Sequence, residues 1–160
     1  MIIGAMNHPG RDPVEEIHWI GAHGFDFVDL TLEPPGADEH VPGPLGQLEM
    51  IEELLRQVPL LAFHLDSGHA KLEGKEDRWD DYLRRLGTRL GHVHLSENDG
   101  SADQHLPLAS APFSKTDWPA HIAQLKQAGY DGTITLEVFA PDRRHLILSR
   151  ELLRQWWDAA

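Results

Sequence analysis

Leu61-Ala62-Phe63-His64-Leu65-Asp66-Ser67-Gly68-His69 alternates apolar and other residues, then breaks at a Ser-Gly pair. Successive side chains of a β-strand point to opposite faces. Leu61, Phe63 and Leu65 therefore share one face, and Ala62, His64 and Asp66 the other. The strand ends on a carboxylate, with an imidazole three residues further on. Two later stretches repeat the pattern. In Gly91-His92-Val93-His94-Leu95, Val93 and Leu95 oppose His92 and His94. In Thr133-Ile134-Thr135-Leu136-Glu137-Val138-Phe139, Ile134, Leu136 and Val138 oppose Thr133, Thr135 and Glu137. An earlier stretch, 25–33, sets Val28, Leu30 and Leu32 against Asp29, Thr31 and Glu33.

Parallel strands covered on both sides usually read as continuous hydrophobic runs. Four strands with one aliphatic and one polar face depart from that rule, and such departures gather at functional sites. Acid and imidazole at the ends of successive strands are the donors a divalent cation at the mouth of a parallel barrel requires. A sheet simply open to water on its polar side explains Thr31 and Thr133 as well. It gives no reason for ligand-type residues at the strand ends.

Helical signals separate these strands. Asp12 before Pro13, with Glu15 and Glu16 in the first turn, opens a helix that should stop at Gly24. Leu48, Ile51, Leu54, Leu55 and Val58 recur with helical period. Further helices are expected over 76–86, from Asp117 to Ala128, and from Arg143 to Trp157. Residues 34–46 are rich in Pro and Gly and read as loop. Alternating strands and helices imply a mostly parallel α/β sheet with sites at the C-terminal strand ends. The 160 residues form one domain, 1–160.

Composition narrows the chemistry. No cysteine is present, which excludes disulfides, thiolate nucleophiles and Cys-ligated zinc or iron–sulfur sites. A bound metal would be held by O and N donors, suiting Mn, Mg, Co, Zn or Fe(II). The net charge of −12 argues against a nucleic-acid partner. Arg84, Arg85 and Arg89 read as a solvated helix face rather than a phosphate patch. No run approaches the ~20 apolar residues of a membrane span, and a cytoplasmic location is expected. His18, His23, His121 and His145 lie scattered over helices and read as surface or structural residues.

The segments Leu65-Asp66-Ser67-Gly68-His69-Ala70, His92-Val93-His94-Leu95-Ser96, Asp103-Gln104-His105-Leu106-Pro107-Leu108 and Gly129-Tyr130-Asp131-Gly132-Thr133-Ile134-Thr135-Leu136-Glu137 together resemble the xylose isomerase-like TIM-barrel superfamily. That superfamily includes sugar phosphate isomerases/epimerases and endonuclease IV-type apurinic endonucleases. The resemblance covers residues 47–157, and the opening stretch to Pro35 matches the family's first two strands. It implies a partial (β/α) barrel with about five strand–helix units instead of eight. The chain passes from the second family strand through 34–46 to the helix before the sixth.

By that resemblance, Asp66, His94 and Glu137 match the metal ligands, with Glu137 also an acid/base residue. His69 matches a substrate-contacting histidine, which is a ligand in the endonuclease branch. Asp103 and His105 match a pair that binds a further metal there. His64 and His92 join them as additional metal or substrate candidates. The fifth-strand glutamate of the family is missing, and Glu33 is the one candidate replacement. Ala109-Ser110-Ala111-Pro112-Phe113 stands where the family has a Gly-rich turn.

The implied activity is metal-dependent proton transfer next to the carbonyl of a sugar or sugar phosphate, through an enediolate. The alternatives are endonuclease-type phosphodiester hydrolysis and an inactive barrel fragment. Two strand edges left by the missing units imply a homo-oligomer.

Overall fold

The computed structural model describes residues 1–29, 44–60, 62–72, 78–110 and 115–160. Its elements alternate: β1 (Ile2–Met6), α1 (Pro13–Ala22), β2 (Phe27–Asp29), α2 (Pro44–Gln57), β3 (Phe63–Asp66), α3 (Trp79–Leu86), β4 (Leu90–Leu95), α4 (Trp118–Gln127), β5 (Thr133–Leu136) and α5 (Arg144–Ala159). The five strands form one sheet in the order β2-β1-β5-β4-β3, with every pairing parallel. First and last strands are therefore neighbours, as they are when a (β/α) barrel closes. The two edges are β2 and β3, which are consecutive in the chain. This is an arc of a barrel, opened between its second and third strands.

Local chemistry sets the helix ends. Asp12 Oδ1 accepts from the amides of Val14 and Glu15 at 2.9 and 3.0 Å, with Pro13 behind it. Gly24, at φ +76°, then turns the chain out of α1. Asp117 caps α4 through the Ala120 amide at 3.1 Å. On α3 the buried residues are Trp79, Tyr82 and Leu86, and on α5 they are Leu146, Ser149 and Leu153. Spacings of three and four place each set on one face.

The aliphatic strand face meets the helices. Ile3, Ala5, Leu65, Val93, Leu95, Ile134 and Leu136 are buried there with Ile20, Ile122, Leu125 and Leu153. Each of the Ile, Leu and Val side chains among these contributes roughly 1.5–3 kcal/mol by leaving water. Cross-strand register puts His64 beside His92 and Thr133, and Asp66 beside His94 and Thr135. The polar residues thus lie in two layers on the concave face, where the alternation placed them.

Several elements are shorter than their apolar pattern. Leu60 lies in a turn and is 97% exposed, so β3 starts at Phe63. Regular pairing of β5 ends at Leu136. Beyond it, the Glu137 amide donates to Leu95 O at 3.1 Å, but the Phe139 amide turns to His105 O at 3.0 Å. The strand is diverted onto the long loop after β4. Among the described residues of that loop, two other than glycine have left-handed backbone, His105 at φ +47° and Ala109 at φ +57°. Ala109 therefore adopts a conformation that favours glycine, at the start of the segment where the family has a Gly-rich turn. Leu30, Thr31, Leu32, Glu33 and the 34–43 part of the expected loop lie outside the described residues, as do 111–114, while 44–46, expected as loop, open α2 with Pro44 at its first position.

Of the arginine cluster, Arg84 and Arg85 are exposed on α3, whereas Arg89 lies beyond the helix and is partly buried. Arg84 pairs with Asp81 and Arg85 with Glu52, while Arg89 donates to the carbonyls of Leu55 and Pro59 at the end of α2. His23 stacks on Trp19 and bonds its carbonyl, and His121 bonds Asp117 O; both roles are structural. Trp156 stacks on Trp118, and Lys126 lies over Trp157.

Candidate metal centre

Asp66, the last residue of β3, His94 on β4 and Glu137, one residue past β5, converge at the C-terminal edge of the sheet. One donor atom from each falls within 4.8 Å of the other two. His94 Nδ1 is 3.3 Å from Glu137 Oε2 and 3.9 Å from Asp66 Oδ2. Its Nε2 is 2.9 Å from Asp29 Oδ2 on β2. Asp29 also accepts from Thr135 Oγ1 at 2.9 Å and sits 3.4 Å from His92 Nε2. Asp29 is the residue of this cluster that the sequence reading passed over, although alternation had placed it on the polar face.

The protonation pattern follows from these contacts. Burial works against a charged His94, yet the bonds to Glu137 and Asp29 and the charge of Asp66 raise its pKa overall. Burial pushes the Glu137 carboxyl up, and the Asp66 charge adds to that, against the opposing pull of His94. Burial alone would raise Asp29, but the bonds from His94 and Thr135 bring it below its ordinary value. Two partly buried carboxylates thus face one imidazole nitrogen.

His69 lies over the cleft between them. Its amide donates to Asp66 Oδ1 at 3.1 Å, and its ring Nε2 meets Asp103 Oδ2 at 2.9 Å. The Asp103 bond raises the His69 pKa to about 9; partial burial opposes this, and Asp66 reinforces it. Asp103 also faces His105 Nε2 at 3.3 Å, and His105 Nδ1 stands 3.6 Å from Glu137 Oε1. The Asp103–His105 pair thus joins the three-residue cluster through Glu137.

The lower layer has another character. His64, His92 and His94 also bring one nitrogen each within 4.8 Å. Both His92 nitrogens are occupied, by Thr133 Oγ1 at 2.7 Å and Thr135 Oγ1 at 3.0 Å. The His64 ring packs against His94 at 4.1 Å and has no hydrogen bond among the described residues. Burial, then the charge of His94, pushes its pKa down to about 4, so it is neutral near pH 7. With His92 and His94 already committed to protein partners, this layer reads as support beneath the upper one. Glu33 lies outside the described residues.

The loops bearing these side chains are tied together from below. Ser67 Oγ donates to Ser96 O at 2.9 Å and accepts from the Ser96 amide at 3.0 Å. Asn98 Nδ2 donates to Gly68 O at 2.9 Å. Glu97 and Leu106 exchange backbone bonds, closing the long loop over its own base. Fully buried Glu97 accepts from Lys71 Nζ at 2.5 Å, Thr116 Oγ1 at 3.0 Å and Trp118 Nε1 at 2.9 Å.

A family model described as xylose isomerase-like TIM barrel matches residues 13–157. The chain belongs to that family. Uncharacterized protein MJ1311 of Methanocaldococcus jannaschii is 27% identical over 126 residues, covering 75% of this chain and 41% of that protein. Among solved structures, a D-tagatose 3-epimerase-like protein superposes with TM-score 0.58 at 24% identity, over 91% of this chain and 52% of that one. The D-allulose 3-epimerase from Methylomonas sp. gives 0.53 at 22%, over 88% and 52%. An L-ribulose 3-epimerase gives 0.54 at 17%, over 91% and 51%. At these identities the likeness to solved structures is one of fold. This xylose isomerase-like chain spans about half the length of those structures and less of its curated relative, in keeping with an arc of a barrel.

The donor set fits a divalent cation. Two carboxylates and one imidazole converge, with Nδ1 of His94 facing both acids. A fully protein-closed structural site would need a fourth ligand, so three donors leave room for ligand oxygens.

Proposed function

We propose that this chain is a metal-dependent, sugar isomerase/epimerase-like half-barrel in which Asp66, His94 and Glu137 hold a divalent cation. Mn, Mg, Co or Zn all suit this donor set. The observation that carries the reading is the convergence of those three side chains, from three adjacent strand ends, within 4.8 Å. When bound, the cation supplies Lewis-acid polarisation of a carbonyl and its neighbouring oxygen.

The chain's own residues do the rest. Glu137, whose carboxyl is raised by burial, takes a proton at its carboxylate oxygen from the carbon next to that carbonyl. His69, protonated at neutral pH through Asp103, presents a positive N–H beside developing negative charge on the substrate. One carboxylate acts from one side of the substrate carbon. It can return the proton to the same face or pass it to the adjacent carbon, which gives exchange or aldose–ketose isomerisation. Inverting the centre, as an epimerase does, calls for a second acid on the opposite face.

That second group would come from across the opening between β2 and β3. Glu33 or a second copy of the chain are the candidates, and an oligomer closing the edge strands is part of this proposal. Light scattering at micromolar concentration should report a dimer or larger species, and a clean monomer contradicts that part. The Asp103–His105 pair beside Glu137 does not decide between this reading and the alternative of phosphodiester hydrolysis with a further metal. Robust nicking of duplex DNA at an abasic site would establish it.

Two measurements test the main reading. Metal analysis of untagged protein should give a near-stoichiometric divalent ion that is lost in Asp66→Ala. Incubation with ketoses in deuterated water should give metal-dependent exchange at the carbon beside the carbonyl, abolished in Glu137→Gln. Unchanged exchange in that variant removes Glu137 from its role.

A further inference from the structure

Asp29 holds His94 from the far side of the sheet. It lies on β2, while His94 lies on β4, with β1 and β5 between them. Asp29 pairs with Met6 of β1, two residues beyond the level of His94, so the bond runs diagonally over β1 and β5. The β1 residue paired with Thr135 is Gly4, and any Cβ there would stand 2.4 Å from the Phe27 ring. Asp29 is itself fixed. Its Oδ2 accepts from the fully buried Thr135 hydroxyl at 2.9 Å, and its carbonyl accepts from the Asn7 amide at 3.3 Å.

We propose that Asp29 is a positioning residue: it accepts the Nε2–H of His94 and so commits Nδ1 as the lone pair offered to the Asp66–Glu137 cleft. This inference rests on the metal-site reading. A neutral imidazole carries one N–H and one lone pair, and the acceptor at one nitrogen decides which is which. Carboxylate Oδ2 at 2.9 Å from Nε2 can only accept, so the N–H resides there. Nδ1, 3.3 Å from Glu137 and 3.9 Å from Asp66, is then the nitrogen whose proton a cation bound between those carboxylates would replace. The bond also locks the ring plane and makes Nδ1 more basic. Such outer carboxylates typically change metal affinity by about 10–100-fold.

The test compares wild type, Asp29→Ala, Asp29→Asn and Asp66→Ala, using Zn²⁺ alone as the probe. Zinc affinity is read by calorimetry, and the His94 Nε2–H resonance by ¹H–¹⁵N spectroscopy. Asp29→Ala should weaken zinc by about 10–100-fold and lose the protected Nε2–H resonance to solvent exchange. Asp29→Asn, which keeps an acceptor oxygen without the charge, should retain that resonance and lose less affinity. A generic packing role predicts no such split between Ala and Asn.

Wild-type affinity or a retained resonance in folded Asp29→Ala overturns the inference. If circular dichroism shows that this variant does not fold, Asp29→Asn decides, and wild-type zinc affinity there overturns it. Wild type binding zinc more tightly than Asp66→Ala but no better than the Asp29 variants sinks this inference alone. Zinc binding by neither wild type nor Asp66→Ala sinks the metal-site reading with it.

Discussion

Glu97 and Glu137 are the same side chain at the mouth of the sheet, the first fully buried and the second partly so, yet they have different surroundings. Glu97 has a full complement of donors: an ammonium, a hydroxyl, an indole N–H and the Asn98 amide. Glu137 faces another carboxylate, Asp66, across an imidazole nitrogen that cannot satisfy both. A buried carboxylate surrounded by donors serves the fold. One that shares its nearest imidazole nitrogen with a second carboxylate carries an unmet demand for positive charge. The difference teaches that burial of an acid does not identify a site, whereas the sign of its neighbours does.

The largest effect should come from breaking the satisfied partner. Glu97→Ala leaves the Lys71 ammonium, 14% exposed, without its anion, and removes acceptors from Thr116 and Trp118. Loss of one member of a buried pair costs about 3–5 kcal/mol. For a chain of this size that lowers the thermal midpoint by roughly 10 °C or more. Glu137→Gln should stay within about 1 kcal/mol of wild type in metal-free buffer, since it removes a carboxylate that burial already disfavours. Calorimetric melting of both variants checks the contrast. Equal destabilisation would erase the distinction between the two glutamates.

Much of the site was legible because a strand's period of two is rigid. Once Leu65, Val93, Leu95, Ile134 and Leu136 are assigned to the helix side, His64, Asp66, His92 and His94 have nowhere else to point. The helix starts at Asp12 and Asp117 were equally clear, because a side-chain cap is a local interaction. Long-range events were harder to read. Asp29 stood on the correct face in the alternation, but its partner lies 65 residues away and three strands across, which no local pattern encodes. The end of β5 was placed too late for a similar reason. Thr133 to Phe139 has a strand's alternation throughout, and only the docking of Phe139 on His105 draws it off the sheet.

A medium-sized effect sharpens the comparison from the ligand side. If the Glu137 cleft lacks a cation, supplying one should stabilise the fold, and the Glu97 cluster should be indifferent. At free metal 100 times Kd, binding to the folded state alone adds about 2.7 kcal/mol. Wild type should show that rise in midpoint with Mn²⁺ or Zn²⁺, reversed by EDTA. Asp66→Ala and Glu137→Gln should show little of it. A Lys71→Met variant, though less stable, should keep the full increment. An increment that survives in Asp66→Ala would place the cation elsewhere.

The smallest effect concerns the rim of the cleft, where His69 meets Asp103. The bond from Asp103 raises the folded-state pKa of His69 to about 9, above the ordinary 6.5. The folded state therefore holds that proton more tightly than the unfolded chain. Its stabilising contribution is complete below about pH 6.5 and disappears as pH rises through 9. The His69 side chain is 53% exposed, so solvent screening keeps this contribution under about 1 kcal/mol. Metal-free wild type should lose that increment between pH 6.5 and 9, and Asp103→Asn should flatten the slope in that window. Because His69 also faces Asp66, bound metal should compete with its proton and narrow the difference between the two proteins. A slope that Asp103→Asn leaves unchanged would assign the titration to another group and free His69 from the rim.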